Sequence, residues 1–270
     1  MFWRKKDPED FIEKKQYQKA ITLYKEKLKE QPQNTALILN LADTLLLDKQ
    51  VDLAIREYKR IATIQTEQGF VLKAIAMYKK ILKLQPDNTE VEHLLSNLSE
   101  RMSLTTESGP IKDRPVKQSA APSTTLEVQT ELFKDLSTDE FKHVVSKLKL
   151  RHFDKDSVVV KEGDPGDSLF VVVRGDVRVL THIDNNKEVF LANLGEGEFF
   201  GEIALLTGKP RTATIITNEK SELLELTKYD YEKIVAKYPN VTKVVEEFHL
   251  QRTYKTVEAM IQARQGKSSS

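Results

Sequence analysis

Apolar residues recur at three- and four-residue spacing from position 8 to position 102, the period of a helix with one buried face. The pattern predicts antiparallel helices near 16–30, 35–47, 51–66, 70–84 and 88–102, with a short one from Asp7. From Ser103 to about Leu126 the period stops, and Ser, Thr, Pro, Lys and Gly dominate, as in Ala120-Ala121-Pro122-Ser123-Thr124-Thr125. That composition predicts a flexible linker, partly extended at its prolines. Beyond it Asp176-Val177-Arg178-Val179 and the run Thr212–Thr217 alternate, while Leu169-Phe170-Val171-Val172-Val173 is continuously apolar, as in a strand buried on both faces. Turn signals at Asp164-Pro165-Gly166, Asp184-Asn185-Asn186 and Asn218-Glu219-Lys220 separate these strands and predict an antiparallel β-roll. Helices follow from about Lys228 and from about Asn240, with Pro239 suited to a helix start.

This reading gives an α+β multidomain chain. A helical repeat array covers 1–102, a linker 103–128, a β-roll with flanking helices 129–253, and a helix end with a disordered tail 254–270. The array repeats internally. Ala20, Tyr24 and Pro32 share their spacing with Ala74, Tyr78 and Pro86, and Ala54 with Tyr58 gives a third copy of the pair. These positions resemble the tetratricopeptide repeat, whose small residues stand where helices cross closely. The resemblance implies a stacked scaffold with a concave face for a peptide or helix of a protein partner. Residue by residue, Ala20, Tyr24, Leu41, Leu45, Ile55, Tyr58, Ala74 and Tyr78 are read as packing positions.

Near the end of the chain Val241, Val244, Val245 and Phe248 fall on one helix face, while Leu250, Tyr254, Val257 and Ile261 form a second stripe. In a continuous helix the two point nearly opposite ways. The second stripe then needs a partner: bound ligand, a second subunit in a homodimer, or the repeats. A kink near His249 would let both stripes bury against one domain.

Charge narrows the function. Lys plus Arg number 42 against 41 for Asp plus Glu, so no net field draws nucleic acid or anionic lipid. The absence of cysteine excludes disulfides and thiol catalysis, and the five histidines are scattered without ligand spacing, so no metal site is expected. No stretch approaches the ~18–20 apolar residues of a membrane span, and the N-terminus lacks the apolar core of a signal peptide. These features predict a soluble, cytoplasmic protein.

The chemistry concentrates in Phe200-Gly201-Glu202-Ile203-Ala204-Leu205-Leu206, followed by Arg211-Thr212-Ala213-Thr214. Gly201 permits close backbone approach. Glu202 to Leu206 reads as a short helix whose first N–H groups face an anion. Arg211 offers a guanidinium to phosphate oxygens, and Glu202 a carboxylate to a sugar hydroxyl. Gly208-Lys209 is followed by Pro210, not Ser or Thr, so this is no P-loop. The stretch closely resembles the phosphate-binding cassette of the cyclic-nucleotide-binding domain, and the likeness extends over roughly Glu131 to Arg252. Leu132–Ser137 resembles the start of the family's first helices, Val158–Phe170 its second strand, tight turn and third strand, and Gly175 a turn glycine. The resemblance implies that Gly201, Glu202, Ile203 and Ala204 hold ribose and phosphate, that Arg211 pairs with phosphate, and that Thr212 and Ala213 line the site.

No nucleophile with a positioned base accompanies this pair, so the reading is a non-enzymatic sensor of cAMP or cGMP, with no cofactor, joined to a protein-interaction scaffold. The alternative is a tetratricopeptide scaffold whose nucleotide fold no longer binds. Too few residues follow Arg252 for a helix-turn-helix. The Thr212 hydroxyl stands where it could reach a guanine amino group, and by resemblance Thr there occurs in binders of either nucleotide, with cAMP slightly favoured by family frequency.

Overall fold

The computed structural model describes residues 7–106, 136–183, 187–243 and 245–246. The first unit is a run of helices: α1 Pro8–Glu13, α2 Tyr17–Glu30, α3 Thr35–Leu47, α4 Val51–Glu67, α5 Val71–Leu84 and, as far as Leu95, the start of α6 Thr89–Thr106. From α1 to α5 each packs on its neighbour in sequence. The expected helices agree with these to within a few residues. Ala20, Ala42, Ala54, Ala62 and Ala74 are all fully buried, as small residues between packed helices are expected to be. Tyr58 is buried beside them, with its hydroxyl donating to Asp43 Oδ1 at 2.5 Å. The chain reverses after α1, α3 and α4 through Lys15, Lys49 and Gly69, each with positive φ.

A second repeat, in the turns, escaped the pattern of helix positions. Gln31-Pro32-Gln33-Asn34-Thr35 and Gln85-Pro86-Asp87-Asn88-Thr89 are near copies. In each, the asparagine carboxamide accepts from a backbone N–H three residues on, at Leu37 and Val91, both at 3.1 Å. Its own NH2 donates to the preceding glutamine, Gln31 or Gln85. One side chain thus satisfies an orphan helix donor and fixes the turn before it.

The second unit begins with α7 Thr138–Lys147, started by a capping box in which Ser137 and Glu140 serve each other's backbone N–H. Among the described residues eight strands follow, with one short helix among them: β1 Lys149–Phe153, β2 Val158–Val160, β3 Ser168–Arg174, β4 Val177–Ile183, β5 Lys187–Leu194, β6 Phe199–Phe200, α8 Glu202–Thr207, β7 Thr214–Thr217 and β8 Ser221–Thr227. They form two antiparallel four-stranded sheets, ordered β1-β8-β3-β6 and β2-β7-β4-β5. Phe170, Val172, Phe200 and Leu223 from the first sheet meet Val177, Leu194 and Ile215 from the second in one core. Burying side chains of this size stabilises by about 1.5–3 kcal/mol each. The run Leu169–Val173 is buried at every position, as its unbroken apolar sequence predicts.

Helix α9 Lys228–Lys237 follows β8 and packs on α7 and β8. Residues 240–243 and 245–246 are helical, with Val241 and Val245 buried, in line with the first C-terminal stripe. The linker read over 103–128 starts too early, because 103–106 continue the helical hydrogen bonding of α6; its remaining residues, 107–128, and the second stripe, Leu250 to Ile261, lie outside the described residues.

One strand starts later than its alternation suggests. The expected strand Thr212–Thr217 is observed as Thr214–Thr217. Arg211, Thr212 and Ala213 are drawn out of the sheet by backbone bonds to the β2–β3 turn: Arg211 N–H donates to Asp164 O at 2.8 Å, and Gly163 N–H to Arg211 O at 2.9 Å.

Candidate anion-binding site

The site is assembled at the end of a short ladder. β6 pairs with β3 through Phe170–Phe200 and Val171–Phe199 only, and the Phe170 and Phe200 rings stack with centroids 5.3 Å apart. This anchors Phe200, so the chain must leave the sheet at once. It does so through Gly201, at φ 89° and ψ 0°, which caps α8. A left-handed backbone is cheap only for glycine. A Cβ here would also stand 2.6 Å from Arg211 Nη1 and 2.7 Å from the Ser168 carbonyl oxygen. Glycine at 201 therefore makes room for Arg211 as well as for any ligand.

Arg211 is 5% exposed. Its Nη1 donates to Ser168 O at 2.7 Å and to Gly201 O at 3.2 Å. Its Nη2 lies 3.4 Å from Ser168 Oγ and 3.7 Å from the exposed Asp167 carboxylate. Burial lowers its pKa, and the nearby carboxylates of Asp167, Glu202, Glu225 and Asp164 oppose that shift. An arginine remains charged under any such influence. A guanidinium is thus held almost dry, fixed by backbone carbonyls.

Glu202, the first residue of α8, is 2% exposed, and Ala204 and Leu205 are buried with it. Ala204 seats α8 against the β2–β3 turn, because a Cβ on Gly166 would come within 2.0 Å of Ala204 Cβ. Ile203 and Ala213 are half-buried and Thr212 is exposed. The structure therefore brings Gly201 and Arg211 into direct contact and places Glu202 near enough to influence the Arg211 charge. Asp167, Ser168 and Gly166 belong to the same constellation, although the sequence showed them only as part of a strand–turn–strand. The Asp-Pro-Gly-Asp-Ser spacing would have been the signal, had it been read as a cradle rather than a turn.

Residues 150–238 match the family model for the cyclic nucleotide-binding domain, and residues 11–68 match that for the tetratricopeptide repeat. The chain joins a cyclic nucleotide-binding domain to tetratricopeptide repeats. It is 34% identical over 121 residues to a cyclic nucleotide-gated potassium channel of Mesorhizobium japonicum, covering 45% of this chain and 32% of the channel. It is 35% identical over 111 residues to the cyclic AMP receptor protein of Thermus thermophilus, covering 41% of this chain and 51% of that protein. Among solved structures, the Thermus thermophilus catabolite activator protein aligns with a TM-score of 0.46 and 28% identity, over 50% of this chain and 63% of that one. The chain spans about a third of the length of the first curated relatives it matches, from 32% to 33%. Both matched families are regulatory. Among the described residues no helix is long and apolar enough to cross a membrane.

Proposed function

We propose that this chain is a non-enzymatic, cytoplasmic receptor for a cyclic mononucleotide, cAMP or cGMP, which couples occupancy to a protein partner through its helical repeats. The observation that carries the reading is the buried Arg211 guanidinium beside the left-handed Gly201 that begins α8. Gly201, Glu202, Ile203 and Ala204 are proposed to hold ribose and phosphate, Arg211 the phosphate charge, and Thr212 and Ala213 the neighbouring wall. One guanidinium and one short helix match one phosphate, which favours a mononucleotide over a cyclic dinucleotide. The domain limits proposed from the sequence, 1–102, 103–128, 129–253 and 254–270, would let the linker transmit a change from site to repeats. A dimer through the C-terminal helix, or closure of that helix over the nucleotide, is the proposed mode of transmission.

Titration calorimetry of the purified chain with cAMP, cGMP and cyclic di-GMP tests this reading. Saturable one-site binding of a mononucleotide is expected. Heat from none of the three would leave the scaffold without a ligand. Thr212→Ala then reports on the base: a selective loss for cGMP of about 1 kcal/mol, the size of one hydrogen bond, would assign the exposed hydroxyl to guanine. Equal losses for both nucleotides would assign it to phosphate or packing.

A further inference from the structure

The segment Arg211–Ala213 has left the sheet, yet it must be held still if it is to present a guanidinium to a ligand. On the β4 side the last registered pair with β7 is Leu180–Thr214. β4 itself continues to Ile183, so the donors of its last residues have no β7 strand opposite them. One side chain fills that place. Glu162, two residues past β2, sends its carboxylate across to β4. Thr181 Oγ1–H donates to its Oε1 at 3.0 Å, His182 N–H donates to its Oε2 at 3.0 Å, and His182 Nδ1 lies 2.9 Å from the same Oε2.

The backbone of the same residue grips the other side, where Glu162 N–H donates to Thr214 Oγ1 at 3.0 Å. Next to it, Gly163 N–H and Asp164 O pair with the Arg211 backbone. Thr181 closes the loop, its hydroxyl also lying 3.4 Å from Thr212 O. Thr181 is 2% exposed, so its hydroxyl requires a partner. Residues 211–214 are clamped between two walls, and the Glu162 carboxylate joins one wall to the other.

We propose that Glu162 is a positioning residue for nucleotide binding: its carboxylate stands in for the missing strand beside β4 and so fixes the Arg211–Ala213 segment at the ligand. This rests on the receptor reading above. It is tested by a double-mutant cycle in calorimetry with cAMP and cGMP, using Glu162→Gln, Arg211→Lys and the pair, with thermal melting of each. Glutamine keeps the shape but turns an NH2 toward one of two donors. Glu162→Gln is expected to bind about tenfold more weakly, and to cost little further in the Arg211→Lys background, because coupled neighbours are not additive. Parent-like binding by Glu162→Gln, with Arg211→Lys impaired, overturns the proposal and leaves the receptor reading standing. Equal loss in both backgrounds also overturns it, since a general loosening of the domain would be additive. A parent that binds neither nucleotide overturns both. Should Glu162→Gln not fold, Thr181→Val removes the connecting hydroxyl at nearly constant volume, and the same cycle is decided on that variant.

Discussion

Arg211→Ala is expected to abolish binding of cyclic mononucleotide at ordinary titration concentrations. Removing one partner of a buried charge pair costs about 2–5 kcal/mol, or roughly thirtyfold to several thousandfold in affinity. The structure adds a cost in the free protein. Arg211 Nη1 donates to the buried Ser168 O and also to Gly201 O, which keeps the Leu205 N–H when the guanidinium goes, and taking the donor from a buried acceptor costs about 1–3 kcal/mol. The variant should therefore melt lower as well as bind worse. Arg211→Lys separates the two effects, because it keeps the charge while losing the fork that reaches two carbonyls and a hydroxyl at once. The expected order of affinity is parent, then lysine, then alanine, measured by calorimetry on samples whose melting shows them folded. Parent-like affinity in a folded Arg211→Ala protein would remove the guanidinium from the site.

Gly201→Ala should be nearly as damaging, by a different route. The left-handed backbone costs an L-residue about 1–2 kcal/mol, and overpacking against fixed atoms adds about 1–3 kcal/mol. One of those atoms is the Ser168 carbonyl oxygen, backbone that cannot rotate away. Gly163 is the built-in control: its φ is 85°, close to the 89° of Gly201, but a Cβ there meets nothing within 4 Å. Gly163→Ala should lower stability by the backbone cost alone, whereas Gly201→Ala should lower it further and displace Arg211. Equal melting temperatures and equal nucleotide affinities for the two variants would contradict the crowding around Gly201.

The helical half was legible because its information is local. A buried alanine every few residues and an amphipathic period specify each helix without knowledge of its neighbour, so α2 to α5 fall where the pattern puts them. The short helix read over Glu202 to Leu206, observed as Glu202–Thr207, and the Arg211 position were legible from spacing plus a family likeness. What stayed hidden depends on pairs far apart in sequence. Nothing local distinguishes Glu162 from a surface glutamate, since its donors lie at positions 181 and 182. Alternation over Thr212–Thr217 continues through residues that backbone bonds to Gly163 and Asp164 draw out of the sheet. The repeated Gln-Pro-x-Asn-Thr turn is present in the letters, but only its Pro32 and Pro86 stand out by spacing, and its capping role depends on side-chain bonds of Asn34 and Asn88.

The acceptors that hold Arg211 Nη1 are main-chain oxygens of residues 168 and 201. Every amino acid carries that oxygen, so drift in side-chain identity at position 168 leaves this acceptor intact. A change in length does not. A single codon inserted or deleted between Gly166, pressed against Ala204, and Ser168 would shift the carbonyl out of reach while altering no residue of the recognised motif. The anion site can therefore be lost through a change of length in the turn before β3 with the arginine still in place.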